Sequence, residues 1–371
     1  MKKIVAAVLS VLLVLSLAGC GAAGETGQTA AASGNGKKYE GQTLHFFNFG
    51  GYTGENFLQN FEARTGCRVV MDIVETPEEM YLKIANGDAY DVIVESDYMV
   101  ERMISEDLVQ KLDKSKLPNL SELEPSLFKK MVYDPADEYS VPFFWGMVGI
   151  TYDKTIVDEA DLEKEGFGIL EDPKYKGNLF LYDSERDMMM VALKHLGYSM
   201  NTEDDGELEE AYQWLKKVVT ENEPEIIGDE VVDNMVQLRK ALAVEYSGDA
   251  AYAMVENENA GFYLPEEGTN LWIDNMLIPK ASENVDLAHE FINYACEYET
   301  SLDNTVTVGY TSPNVKAAAE MVAPGGDFEG INAYSPRLDN PKDEMFRYSE
   351  EGRKKMSDLW ARVKIDASNA K

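Results

Sequence analysis

Short apolar runs at strand spacing alternate with amphipathic stretches at helical spacing, and this happens twice along the chain. That alternation leaves few folds open. Thr43–Phe49 reads as a buried strand, and Gly54–Arg64 places Phe57, Leu58 and Phe61 at helical spacing before Gly66 stops it. Cys67–Val74 is rich in β-formers. Thr76-Pro77-Glu78-Glu79 then supplies an N-cap, a proline at the first helical position and a capping-box glutamate, opening a helix through Ala85. Asp91–Val94 is a short strand, and Ser96 starts a helix that runs to Glu106. This order predicts an α/β domain with a largely parallel sheet.

The second region repeats the logic. Gly177–Tyr182 reads as a strand, Asp187–Leu196, Glu207–Val219 and Val231–Ala243 as helices, Leu271–Ile278 as a strand and Asp286–Glu297 as a helix. No fixed-period repeat is present, which excludes a solenoid. Two such regions in 371 residues, 44% of them hydrophobic, predict two folded lobes with a cleft between them, a default place for a small ligand. The chain carries 34 Lys+Arg against 67 Asp+Glu, a net charge of −33. It lacks the basic footprint that nucleic acid or an anionic membrane surface requires, whereas a cationic ligand suits it.

Lys2 and Lys3 precede an uninterrupted run of apolar and small residues, Ile4–Leu17. A bilayer core needs ~20 residues, so the run reads as the apolar part of a signal peptide, residues 1–19. It ends in Leu17-Ala18-Gly19-Cys20, which resembles a bacterial lipoprotein box, where the cysteine becomes the first mature residue and carries lipid on its sulfur. Residues 20–39 then form the lipidated Cys20 and a flexible Gly/Ala/Ser/Thr-rich tether. The expected location is extracytoplasmic, held to the bacterial cell membrane by that anchor. The remaining pair, Cys67 and Cys296, is too sparse for a disulfide framework and reads as two buried free thiols.

Enzyme signatures are missing: there is no G-x-S-x-G, Walker A or C-x-x-C. His289-Glu290 starts like H-E-x-x-H, but Asn293 stands where the second ligand belongs. His195 reads as a helix-end cap. Asn201–Tyr212 lacks the twelfth-position glutamate of a calcium loop and reads as an acid-rich helix start. No catalytic residue, cofactor or metal site is assigned.

What remains is a set of aromatics and acids at strand-to-helix junctions. Phe49 and Tyr52 follow the first strand, and Ser96, Asp97 and Tyr98 follow the third. Asp183, Ser184 and Asp187 follow Gly177–Tyr182, Tyr246 and Asp249 lie in Val244–Ala250, and Trp272 sits beside Asp274. Ligands dock at the carboxyl ends of strands in open α/β sheets. Carboxylates there would each hold an ammonium, worth ~1.5–3 kcal/mol, and aromatic faces would add ~0.5–2 kcal/mol. Such a site suits an organic polycation.

Particular motifs carry a resemblance. They are Asn48-Phe49-Gly50-Gly51-Tyr52, Tyr90-Asp91-Val92-Ile93-Val94, Ser96-Asp97-Tyr98, Tyr139-Ser140-Val141-Pro142-Phe143-Phe144-Trp145-Gly146, Leu271-Trp272-Ile273-Asp274 and Val308-Gly309-Tyr310-Thr311-Ser312-Pro313. In this order the chain resembles the spermidine/putrescine-binding proteins. The resemblance implies an α/β, two-lobed periplasmic-binding-protein (flytrap) fold with the ligand cleft between lobes. It also implies a monomer that captures spermidine or putrescine and delivers it to the membrane permease of an ABC importer without chemical change.

By position, the family's aromatic box falls on Phe49, Tyr52, Tyr98, Tyr246, Trp272 and Tyr310. Its amine-binding acids fall on Asp187 and Asp274, with Ser96 lining the cleft; Asp97 and Ser184 complete the candidate set. The family often has Trp at Phe49, Glu at Gly51, an acid at Ser184 and Trp at Tyr246. Lobe one is then residues 40–145 plus 274–318, and lobe two 146–273 plus 319–371. Two alternatives stay open: the same fold binding another small cationic or neutral solute, or a polyamine sensor that does not transport.

Overall fold

The computed structural model describes residues 37–370. The expected signal peptide, Cys20 and most of the tether lie outside the described residues. Tyr39, at the end of that expected tether, is instead buried, its N–H donating to Thr65 O at 3.1 Å. An aromatic side chain able to leave water here overrides the polar composition around it.

The first half runs β1 (Thr43–Phe49), α1 (Phe57–Thr65), β2 (Arg68–Val74), α2 (Pro77–Ala85), β3 (Val92–Ser96), α3 (Asp97–Ser105), α4 (Pro125–Lys130) and β4 (Ser140–Asp153). The second continues with α5 (Glu159–Glu165), β5 (Leu179–Tyr182), α6 (Glu185–His195), α7 (Asp205–Glu221), β6 (Glu225–Ile227), α8 (Glu230–Val236), β7 (Leu242–Tyr246), α9 (Ser247–Glu256) and β8 (Ala260–Tyr263). The chain then returns through β9 (Leu271–Leu277), α10 (Val285–Ala295), α11 (Tyr298–Val308) and α12 (Val315–Val322) to α13 (Glu350–Ala370).

Local signals explain several boundaries. Gly66 ends α1 in the left-handed region, φ 82°, with its N–H on Glu62 O. Thr76 caps α2 by accepting the Glu79 N–H at 3.3 Å. Asp204 accepts the Gly206 and Glu207 N–H groups at the start of α7, the acid-rich helix start expected there. α1 begins at Phe57 rather than Gly54, and the Gly54 N–H donates to Asn304 Oδ1 at 2.7 Å.

Strand order is β2-β1-β3-β9-β4-β7-β5-β6, with β8 on β4. β1 lies between β2 and β3 as β5 lies between β6 and β7, all four pairings parallel. β3–β9, β9–β4, β4–β7 and β4–β8 are antiparallel, so the sheet is evenly mixed rather than largely parallel. The reason is the traffic between halves: β4 carries the chain across and β9 brings it back, and a there-and-back pair must run antiparallel. All fourteen residues of β4 are buried. Its partner changes from β9 to β7 between Met147 and Val148. Pro142, which has no N–H to donate, sits where the β4–β9 register shifts.

The helix expected over Val231–Ala243 is a correction. α8 stops at Val236, Leu238 takes a left-handed φ of 48°, and Leu242–Tyr246 is strand β7. Val231, Met235, Leu238 and Leu242 satisfy helical spacing, but Leu242 and Ala243 find ladder partners on both β4 and β5, and burial between them decides the outcome.

Cys67 and Cys296 are free and buried in the same core as Phe46, Phe57 and Phe291. His289 is structural: Nε2 accepts the Asp113 N–H at 2.9 Å while Nδ1 faces Val285 O at 2.7 Å. His195, the last residue of α6, packs its ring at a tilt against Trp214, ring centres 4.8 Å apart, and does not act as a cap.

The loop after β1 is anchored by Asn48, whose Nδ2 donates to Tyr52 O at 3.1 Å, and by Asn304 on Gly54. Asn304→Ala should therefore cost about 1–3 kcal/mol in urea unfolding, since it strands a buried N–H. An unchanged midpoint would show that the loop is held some other way.

Candidate functional site

β1, β3, β5, β7 and β9 all deliver junction residues to one cavity of about 930 Å³ between the two halves. Phe49, Tyr52, Ser96, Asp97 and Tyr98 reach it from the first half, and Ser184, Asp187 and Tyr246 from the second. Trp272 and Asp274 reach it from β9, with Tyr310 from the turn after α11. All eleven candidate residues thus line one space, although 261 positions separate the first from the last.

Aromatic rings form a continuous wall. Ring centres are 5.8 Å apart for Phe49–Tyr52 and for Tyr52–Tyr310, 5.3 Å for Tyr310–Trp272, 6.1 Å for Trp272–Tyr246 and 5.4 Å for Tyr246–Tyr182. The rings meet edge-on or tilted, so each supports its neighbour without covering its face. Gly248 makes room for this wall: a Cβ there would lie 1.5 Å from Tyr310 Cδ1.

Two carboxylates stand within the wall. Asp274, opposite Ser96 in the β3–β9 ladder, accepts the Tyr52 hydroxyl at 2.6 Å and the Ser96 hydroxyl at 3.0 Å. Asp187, in the first turn of α6, accepts the Tyr246 hydroxyl at 2.7 Å, while Ser184 caps that helix by accepting the Asp187 N–H at 3.3 Å. Among the described residues neither forms an ion pair. Desolvation by burial pushes both above the usual carboxylate range, and the hydroxyl donors pull them only part of the way back. Asp97 accepts its neighbour's Tyr98 N–H through Oδ1, and its Oδ2 is buried with no partner.

Two junction acids take no part in the lining. Asp183 is tied up by Trp360 Nε1 and Lys364. Asp249 lies behind the wall, where it accepts the Tyr310 hydroxyl at 3.0 Å and burial pushes it up to about 7. The space also has walls that the junction argument missed, chiefly Glu78, Tyr182, Arg186, Asn270 and Phe346. Glu78 lies inside the Thr76–Glu79 helix start, where local spacing gives it no role of its own. Arg186 stands between two candidates, Ser184 and Asp187, and in a helical first turn successive side chains fan out, so spacing cannot choose among them. Gly51 is exposed and lies outside the lining.

No group of three or more His, Cys, Asp or Glu side chains positioned to hold a metal ion occurs among the described residues. No helix among them is long and apolar enough to cross a membrane.

Two measurements follow from this geometry. Buried carboxyls that titrate higher folded than unfolded contribute stability at low pH, and lose it as pH rises through their folded values. The ligand-free protein should therefore melt higher at pH 5 than at pH 8, and Asp187→Asn should flatten that slope. A melting temperature that rises toward pH 8 would contradict the carboxyl assignment. Separately, Gly248→Ala should cost about 1–3 kcal/mol by overpacking against Tyr310. Tyr310→Ala in the same chain should recover part of it, in a double-mutant cycle read by denaturant unfolding.

The model of the bacterial extracellular solute-binding protein family matches residues 87–327. The spermidine/putrescine-binding periplasmic protein of Escherichia coli is 34% identical over 293 residues, covering 77% of this chain and 81% of its own length. The putrescine/cadaverine-binding protein of Pseudomonas aeruginosa is 30% identical over 345 residues, covering 87% and 94%. The crystal structure of the spermidine/putrescine ABC transporter substrate-binding protein of Streptococcus pneumoniae superposes with a TM-score of 0.77 at 35% identity, covering 88% of this chain and 99% of that one. The two α/β halves joined by β4 and β9 are the architecture this similarity describes, and the chain belongs to the bacterial extracellular solute-binding proteins.

Proposed function

We propose that this protein captures a small polyamine outside the cytoplasm and hands it to the permease of an ABC importer. The observation that carries this reading is the pair Asp187 and Asp274: two carboxylates, one from each half, the first buried and the second half-buried, held by hydroxyls and in no ion pair among the described residues. A hydroxyl donor orients a carboxylate but leaves its charge uncompensated, so an incoming ammonium supplies what the fold withholds. The aromatic faces between them suit the ammonium groups by cation–π attraction and the methylenes by contact. The relatives' names, spermidine/putrescine- and putrescine/cadaverine-binding, support the same class of ligand.

The ligand is held and released without bond chemistry. On this reading residues 40–145 plus 274–318 form one lobe and 146–273 plus 319–371 the other. A ligand that touches both selects the closed state by its differential affinity for it. The eleven lining residues named above are the proposed binding set. The chain works as a monomer, made with a signal peptide over residues 1–19 and anchored by lipid on Cys20. Support for the anchor is the Leu17-Ala18-Gly19-Cys20 box; Cys20→Ala should move the protein from the membrane fraction to the soluble one.

Isothermal titration with spermidine, putrescine, cadaverine and spermine at physiological salt tests the ligand class. Micromolar or tighter binding of at least one is expected, and no heat from any of them on folded protein would overturn the reading. Asp274→Asn should weaken the best ligand by ~2–5 kcal/mol, because a buried ammonium loses its counter-charge. Affinity should fall as pH is lowered, since protonating Asp187 or Asp274 removes the charge that the ammonium needs. A flat affinity between pH 8 and pH 5 would rule out that pairing.

A further inference from the structure

Side-chain contacts join the two halves across the cleft, and one of them lies apart from the ligand space. Arg186 reaches Glu78, and Tyr310 reaches Asp249, but Arg186, Glu78 and Tyr310 all line the main cavity. The separate contact joins Glu101, on α3 in the first half, to Arg347 and Tyr348 in the second. Glu101 accepts the Arg347 Nε–H at 2.9 Å and 3.0 Å on its two oxygens, a second guanidinium N–H from Nη2, and the Tyr348 backbone N–H at 2.8 Å. The guanidinium carbon of Arg102, next along α3, lies 4.9 Å from the centre of the Tyr348 ring. Glu101 lines neither the main cavity nor the smaller one of about 320 Å³ beside it.

The segment that meets Glu101 is fixed to the second half before it gets there. The Glu344 N–H donates to Thr269 O at 3.0 Å, and the Leu271 N–H donates to Glu344 O at 2.8 Å. The Glu344 carboxylate pairs with Lys194 Nζ at 2.8 Å. Asn201 accepts the Arg347 N–H through Oδ1 and donates from Nδ2 to Met345 O, each at 2.8 Å. Residues 344–348 are thus a strap held by the second half, and its tip crosses to the first. Both sides of the crossing adjoin the cavity wall. Phe346 lines the cavity and Arg347 follows it; Tyr98 lines the cavity and Glu101 comes three residues later on α3. Loosening the strap from Glu101 therefore loosens the wall at Phe346 while every side chain that faces the cavity is kept.

We propose that Glu101 and the strap tip form a latch between the lobes, which stabilises the closed state whichever amine occupies the cleft. The latch sets the level of affinity and leaves the ranking of ligands alone. This rests on the two-lobed polyamine reading above and adds a positioning residue, Glu101, that acts on binding without touching the ligand. A ligand that binds the closed state has its intrinsic dissociation constant divided by the closed fraction, so a change in that fraction weakens every ligand by one factor. The side chains are 21% exposed for Glu101 and 48% for Arg347, which places the pair at the rim, where solvent screening and side-chain entropy oppose an isolated ion pair. Here a single carboxylate takes a bidentate guanidinium and a backbone N–H from a segment that is already immobilised, so less freedom is lost when the contact forms.

The test is calorimetric titration of the full chain with putrescine, cadaverine and spermidine at physiological salt, for the wild type, Glu101→Gln, Arg347→Gln and the double variant. Each single substitution should weaken every amine that binds by a common factor of about fivefold, the upper end for a pair of this exposure, with the ranking unchanged. The double variant should lose little more than either single one, because both substitutions break one contact. In stopped-flow tryptophan fluorescence the loss should appear as faster dissociation. Unchanged affinity in both single variants, a loss confined to one amine, or single losses that multiply in the double variant would overturn the latch and leave the polyamine reading intact. No heat from any of these amines, or from spermine, on folded wild type overturns both. Should one single variant fail to fold, the common factor in the other decides the matter.

Discussion

The antiparallel pairing of β4 with β9 is the contact on which the cleft depends. β4 leaves the first half and β9 returns to it, and their ladder runs from Ser140–Leu277 to Met147–Leu271. Because β9 also pairs with β3, Asp274 is registered against Ser96. Because β4 goes on to pair with β7, Tyr246 stands beside Val148. One ladder thus sets the distance between the first-half carboxylate and the second-half aromatic. Gly146 keeps that ladder tight: a Cβ there would come within 2.5 Å of Trp272 Cζ2. A bulkier residue would push the crossing strands apart at the point where the site is assembled.

The electrostatics of the cleft are those of a site built at some expense to the empty protein. Burying a carboxylate without a counter-ion is unfavourable, and hydroxyls from Tyr52, Ser96 and Tyr246 only reduce that penalty. Natural binding sites carry such local instability because function requires it. Arg186 could have neutralised Asp187, its neighbour in sequence, but it reaches across to Glu78 instead. That choice of partner leaves both wall carboxylates without a hydrogen-bonded cation, although the Arg186 charge still acts on Asp187 from a distance.

Much of the architecture was legible in local patterns. The Thr76 cap, the Gly66 stop and the Asp204 helix start each depend on a few adjacent residues, and each stands as the spacing predicts. The failures have a common physical origin. Val231–Ala243 satisfies helical spacing, yet its end becomes strand because β4 and β5 offer ladders to Leu242 and Ala243. The sheet is mixed and not largely parallel because the crossing strands run out and back, and no local pattern records direction. Tyr39 leaves the polar tether because a core is within reach.

The same division applies to the site. Residue types at strand-to-helix junctions, together with a resemblance to a known family, were enough to name all eleven lining candidates, since a junction's position on a sheet follows from local alternation. What they could not supply was the partner of each side chain. Whether Asp183 faces the cleft or Lys364, whether Asp249 lines the wall or supports Tyr310 from behind, and whether Arg186 pairs with Asp187 or Glu78 depends on elements far away in the chain. Alone, the sequence determined the helix caps and stops, the excess of acid and the identity of the junction residues, because these are properties of neighbours along a chain. Only the tertiary structure decided which carboxylates remain uncompensated, because charge pairing falls off over a few ångströms of space and takes no account of distance in sequence.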